Sequence, residues 1–183
     1  MERRLVDRFL NELERLVLGT GAREVHEVGC GEGELLLRLA GYGLRARGSD
    51  ISENVIGEAR RRASAAGLDV AFRVAPIEAL DHGEDAADLI LCCEVLEHVA
   101  DPGAALEIVA RLASPWAIVS VPREPLWRVL NLGRLKYVRE LGNTPGHLQH
   151  WSRSGFVRFL QQRLEIVAVR SPLPWTMALC RAE

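Results

Sequence analysis

Two periods of hydrophobic and polar positions alternate along the chain. Between Glu2 and Leu18, the apolar residues Leu5, Phe9, Leu13 and Leu16 recur at helical spacing, with Arg3, Arg4, Asp7, Glu12 and Glu14 between them. Gly19 and Gly21 end that helix. A short strand over 24–29 follows, then a glycine-rich turn, a helix over 34–40, and a second strand over 44–49 that ends at Asp50. Ser52 is placed to cap a helix over 54–66, and Gly67 to end it. Strands are predicted over 70–75 and 87–92, the latter a continuous apolar run suited to a strand covered on both faces. Asp101-Pro102 opens a helix to about Leu112, and 117–121 is a fifth strand. Ser154 is read as the cap of a helix to about Arg163, and two final strands, 164–170 and 175–180, flank a proline-rich turn. Strands alternating with helices predict an α/β fold, a doubly wound and mostly parallel sheet in a single domain over 1–183. Residues 122–153 break the rhythm and read as an insertion.

Composition narrows the class. Of 183 residues, 48% are hydrophobic and 26% charged, as in a globular chain with a full core. The net charge of −2 argues against coating nucleic acid through bulk charge. Cys30, Cys92, Cys93 and Cys180 form no C-x-x-C pair, which suits buried thiols in a reduced, cytoplasmic setting. The start of the chain lacks the apolar stretch of a signal peptide, and no apolar run is long enough to span a membrane.

The candidate chemistry begins at Glu27-Val-Gly29-Cys30-Gly31-Glu32-Gly33, between a strand and a helix. Glycines there let backbone amides approach a ligand, although a ligand-free turn has the same local pattern. A dinucleotide fingerprint would need glycine where Glu34 stands, which speaks against a nicotinamide-dependent oxidoreductase. Asp50, at the end of the second strand, is placed to accept ribose hydroxyls. Loop and aspartate together describe a nucleoside site at the carboxyl ends of parallel strands.

With VHEVGCGEG, GSDIS, DLILCCEVLEHVADPGAAL and SVP on the page, the chain resembles the class I S-adenosylmethionine-dependent methyltransferases of the type 11 kind. The resemblance covers roughly residues 20–122. It implies a seven-stranded Rossmann-like sheet and S-adenosylmethionine as cofactor. It implies that the Glu27, Gly29, Cys30, Gly31 and Gly33 loop holds the methionine end. Asp50 would bind the ribose, Ile51 pack on the adenine, the Ile77 amide meet the adenine edge, and Cys93 and Glu94 line the methyl end. Pro76 stands where relatives often carry an aspartate, and Pro115-Trp116-Ala117 replaces the usual Pro-Gly-Gly turn.

Methyl transfer from a sulfonium needs orientation first, and a base only if the acceptor keeps its proton. The candidate bases are His98, His147 and His150, with His150 and Trp151 read as an acceptor-side pair. His26 is read as structural and His82 as an exposed loop residue. If a helix begins near Glu94, then Glu94, Glu97 and His98 share a face. No metal is assigned on that ground. The alternative is a resemblance to small-RNA 3′-terminal 2′-O-methyltransferases, which hold a divalent ion with a similar Glu-x-x-Glu-His and a later histidine.

Residues 122–153 hold six basic and two acidic residues, a net +4, together with Trp127, Tyr137 and Trp151. A basic, apolar lid suits a small anionic or lipid-like acceptor. Trp127, Leu130, Leu132, Leu135, Val138 and Leu141 outline an amphipathic helix that would touch a membrane surface through 122–141. RNA is the second choice of partner, and a lid packed on the domain with solvated arginines fits the same pattern. A non-catalytic binding module with the same fold is the remaining alternative.

Overall fold

The computed structural model describes residues 2–133, 137 and 143–182. The elements are α1 (Glu2–Thr20), β1 (Glu24–Val28), α2 (Glu34–Ala40), β2 (Arg45–Asp50), α3 (Glu53–Ala66), β3 (Val70–Val74), α4 (His82–Asp85), β4 (Ala87–Cys93), α5 (Pro102–Leu112), β5 (Ala113–Pro122), α6 (Leu126–Gly133), α7 (Arg153–Leu160), β6 (Glu165–Arg170) and β7 (Trp175–Arg181).

Seven strands form a sheet in the order β3-β2-β1-β4-β5-β7-β6. The pairs from β3 through β5 are all parallel. β7 runs antiparallel to both β5 and β6. The chain order reverses beside β1, so the ends of β1, β2 and β4 open together on one edge, where ligands bind in open α/β sheets.

Successive side chains of β4 supply two separate apolar layers, one on each side of the sheet. Leu89 and Leu91 join Leu13, Leu36, Ile56 and Ile118 in one layer. Ile90 and Cys92 join Leu106, Val109, Val119 and Phe156 in the other. Every one of these side chains is at most 1% exposed, which explains why β4 reads as an unbroken apolar run.

Local signals hold at most element ends. Ser52 caps α3 by accepting from the Val55 amide, and Gly67 closes it in the left-handed conformation. Asp101 caps α5 through the Ala104 amide at 3.0 Å. The cap of α7 is Ser152, which accepts from the Gly155 amide at 3.2 Å, rather than Ser154. Ser152 is the residue still in extended backbone before the first helical turn, as an N-cap must be. β5 starts earlier than the pattern predicts, directly after α5.

His26 is structural. It is buried, with Nδ1 against the Asp85 carbonyl at 2.9 Å and Nε2 against Ser49 Oγ at 3.1 Å. His82 is exposed and opens the short α4. All four cysteines are free thiols. Within the insertion, α6 carries Trp127 and Leu130, and its Val129 and Leu132 face solvent. Leu135, Val138 and Leu141 of the expected amphipathic helix, and Arg134, Lys136 and Arg139 of the expected basic lid, lie outside the described residues. No described helix is long and apolar enough to cross a membrane.

Candidate active site

The loop after β1 is tied to the end of β2. The amides of Gly29 and Cys30 both donate to the Ser49 carbonyl, at 2.8 and 3.0 Å. Gly29 has φ +73°, and a Cβ there would lie 2.3 Å from Val95 Cγ2, so only glycine fits. Gly31 also has positive φ, and a Cβ there would meet nothing within 4 Å, so its backbone faces open space. Asp50 is held by two amides: Oδ2 accepts from Gly31 N at 3.1 Å and Oδ1 from Ser52 N at 2.9 Å. Each carboxylate oxygen keeps a free lone pair for a ligand hydroxyl.

A cleft of about 440 Å³ runs from Asp50 and Ile51 past Gly29 to Glu94 and His98. That volume lies in the range of small-molecule sites. Ile51 is 74% exposed on its wall, an apolar surface that a ligand would cover. Ala75, Pro76, Ile77 and Glu78 line the cleft as well. Ile77 opens a 3₁₀ turn, Ile77–Ala79, so its amide sits where such turns have no internal acceptor.

Behind the loop a second hollow of about 360 Å³ is lined by Phe9, Leu10, Glu27, Cys30, Cys93 and Glu94, among others. Glu27 is 6% exposed and its Oε2 has no hydrogen-bond partner. Burial, with the Asp50 charge adding to it, pushes its carboxyl up to about 8. Burial and the charges of Glu27 and Asp50 also raise the Cys30 thiol, so Cys30 lines the site as a neutral group. These residues fit S-adenosylmethionine: hydroxyl acceptors and an apolar wall for a nucleoside, and an unpartnered buried carboxylate for an ammonium group. Gly33, in the left-handed conformation, is the residue from which α2 starts.

Residues 94–98 form a turn, not the helix that the Glu94 spacing suggests. Glu94 sits at φ +59°, an unfavourable backbone for a side-chain-bearing residue. Its position is over-determined. Its amide donates to the Ser120 carbonyl at 3.1 Å, Oε1 accepts from Ser120 Oγ at 3.1 Å, and Oε2 accepts from Trp175 Nε1 at 2.7 Å. Burial raises the Glu94 carboxyl, the nearby Glu97 adds to this, and the two donors oppose it. The turn therefore ties Glu94 to β5 and β7 through Ser120 and Trp175.

Glu97 and His98 meet His147 instead. Their ligand-type atoms all lie within 4.8 Å of one another. His98 and His147 contact edge to face with ring centroids 4.9 Å apart. Burial raises the Glu97 carboxyl to about 7. Burial, then His98 and His150, lower His147 to about 4, so its ring is neutral. His147 also stacks on Trp127 at 6.2 Å, Trp127 packs on Trp175 at 5.8 Å, and Trp175 on Phe9 at 5.0 Å. The Trp127 indole N–H donates to Thr144 Oγ1 at 2.9 Å, fastening α6 to the loop that carries His147.

His150 and Trp151, read together as an acceptor-side pair, have separate surroundings in the structure. His150 Nε2 turns to Asn143 Oδ1 at 2.7 Å. Trp151 turns inward against Phe156 and Phe159, at 6.0 and 5.4 Å. Neighbours in extended backbone point to opposite sides, which separates the two. Ser120, Trp175 and the aromatic row through Trp127 escaped the sequence reading. Ser120 had a signal in the SVP ending β5, whereas nothing local marks Trp175.

The comparisons with known proteins agree with this geometry. Residues 26–121 match the family model described as a methyltransferase domain. A ubiquinone biosynthesis O-methyltransferase of Methylococcus capsulatus (strain ATCC 33009 / NCIMB 11132 / Bath) is 33% identical over 149 residues, covering 73% of this chain and 62% of that protein. The protein of the same name from Alkalilimnicola ehrlichii is 32% identical, covering 74% and 60%. The chain thus spans about three-fifths of the length of these curated relatives. The crystal structure of magnesium protoporphyrin IX methyltransferase from Synechocystis PCC 6803 with bound SAH superposes with a TM-score of 0.78 at 22% identity, over 99% of this chain and 85% of that one. On the matched residues, the chain belongs to the class I S-adenosylmethionine-dependent methyltransferases.

Proposed function

We propose that the protein transfers a methyl group from S-adenosylmethionine to an oxygen of a small acceptor with an apolar, aromatic-sized body. The observation that carries this is the continuous cleft from Asp50 to Glu94 and His98, with the aromatic row of Trp127, Trp175 and His147 beside its far end. Asp50 accepts the ribose hydroxyls, Ile51 and the Ile77 amide take the adenine, and Glu27 takes the ammonium of the methionine end. Bound there, the cofactor supplies a sulfonium methyl group that needs no further activation.

What remains for the chain is orientation and exclusion of water. Trp127 and Trp175, tilted 55° to one another, give an apolar aromatic wall for an acceptor ring to lean on. His147, held neutral by burial, and His98 stand at its edge, able to receive or orient the proton of an acceptor hydroxyl. Glu94 holds the floor of the site through Ser120 and Trp175. The two relatives named as ubiquinone biosynthesis O-methyltransferases support an oxygen as the methylated atom.

The test is calorimetric titration with S-adenosylhomocysteine, wild type beside Asp50→Ala. One-to-one binding, weakened by the substitution, is expected. Absence of binding by the wild-type protein would overturn the reading and favour a methyltransferase-like module without turnover.

A further inference from the structure

We propose that His26, acting through Ser49, is a positioning residue for the cofactor loop, and that a second proton on its ring releases that loop. The inference rests on the S-adenosylmethionine site described above and adds a control point on the opposite face of the sheet.

The ring is fixed at both nitrogens. Nδ1 lies 2.9 Å from the Asp85 carbonyl. A carbonyl can only accept, so Nδ1 carries the proton and Nε2 keeps its lone pair. Nε2 lies 3.1 Å from Ser49 Oγ, so the serine hydroxyl donates to it. Both residues are buried. A buried hydroxyl and a buried imidazole are costly unless they are hydrogen-bonded, so each depends on the other.

The main chain of Ser49 holds the loop. Its carbonyl is the shared acceptor of the Gly29 and Cys30 amides. The next residue is Asp50, whose carboxylate takes the Gly31 and Ser52 amides. Ser49 therefore joins a ring behind the sheet to the loop and to the ribose acceptor. Successive side chains of a strand point to opposite faces. Glu27 thus faces the hollow beside the loop, while His26 faces a separate pocket of about 220 Å³.

That pocket gives a proton access to the ring. The charged groups around it are Asp85 and Glu84 of α4, Arg47 of β2 and Arg73 of β3. Arg73 donates to both Asp85 oxygens, at 2.8 and 2.6 Å, and to Glu84 at 2.9 Å. Arg47 donates to the Ala86 carbonyl. Burial is the largest effect, and with the two arginines it holds the ring below the ordinary imidazole range. It does so against the Asp85 carbonyl and the Asp85 carboxylate, the latter 3.9 Å from Nδ1. The ring is therefore neutral at neutral pH and charges only in acid. A proton on Nε2 makes that nitrogen a donor. The Ser49 hydroxyl can then no longer donate to it and must turn, and the strand end that seats the loop loses its tie. Glu27 titrates near 8, so the two proton steps are separate in pH.

The experiment follows the His26 ring by nitrogen–proton NMR across pH, in the full-length protein with and without saturating S-adenosylhomocysteine. Ligand binding and ring protonation oppose one another, so by linkage the ligand should lower the His26 pKa. In Ser49→Ala the ring should still titrate, but the ligand should no longer lower its pKa. The same variant should bind S-adenosylhomocysteine about three- to tenfold more weakly than wild type by calorimetry. Ser49→Thr keeps the hydroxyl and should keep both properties. A wild-type His26 pKa that the ligand leaves unchanged, or a ring that stays neutral down to acid unfolding, would overturn the inference; neither result needs a variant to fold. An equal fall in Ser49→Ala would show ligand charge acting through space and would overturn it too. Ligand binding with an unchanged His26 pKa refutes this inference alone, whereas no binding by the wild type refutes the cofactor site and this inference together.

Discussion

Glu27 couples cofactor binding to a proton, and the coupling can be measured. In the free protein its carboxyl is raised to about 8 by burial and by Asp50, and one of its oxygens has no partner. At pH 7 such a group is about nine-tenths protonated. An ammonium seated against it requires the carboxylate, so binding must expel that proton. Ionising the group at pH 7 costs about 1.4 kcal/mol, which is subtracted from affinity. S-adenosylhomocysteine should therefore bind roughly ninefold tighter at pH 7 than at pH 6, and a further fivefold or so tighter at pH 8. Calorimetry at pH 7 in two buffers of different ionisation enthalpy should report about 0.9 proton released per site. In Glu27→Gln the affinity should fall and its pH dependence flatten, and the proton release should vanish. A Gln variant that still releases the proton and keeps the wild-type pH profile would refute the assignment.

The same residue sets a stability gradient. Its folded pKa lies above its unfolded value, so its contribution is complete below about pH 4.5 and is lost as pH rises through about 8. Denaturant titrations should show the stability difference moving in favour of Glu27→Gln by on the order of 4 kcal/mol across that window. Gly29→Ala should destabilise by about 1–3 kcal/mol through its positive φ and the 2.3 Å approach to Val95. Adding Val95→Ala should recover the steric part, as a double-mutant cycle in urea would show. Trp175→Phe removes the donor to Glu94 Oε2 and should cost about 1–3 kcal/mol by thermal melt. Phe156→Ala, emptying the layer beneath Trp151, should cost about 3–5 kcal/mol in the same assay.

The features legible in the sequence are those set by interactions within a few residues. The helix over 34–40, the caps Ser52 and Asp101, the closing Gly67 and the glycines after β1 all follow from local backbone needs, and the structure places them as expected. Asp50 was legible too, because the end of a parallel strand beside a glycine loop is a place that topology repeats. The reading failed where local geometry was under-determined. Glu94-Val-Leu-Glu97-His98 has helical spacing, yet Glu94 is drawn into positive φ by Ser120 and Trp175, which arrive from β5 and β7. His150 and Trp151 are neighbours in sequence, but an apolar ring seeks Phe156 while an imidazole seeks Asn143, so the fold parts them.

The sequence by itself determined the alternation of elements and the glycine loop, because each rests on residue types at short intervals of the backbone, and its motifs carried the family resemblance that implied the cofactor. Tertiary structure alone decided which way β7 runs, what partners Glu94, and which histidine returns to Glu97 and His98. Those outcomes depend on burial and hydrogen bonding between segments far apart in the chain. Only the packed fold brings such groups close enough to choose one another.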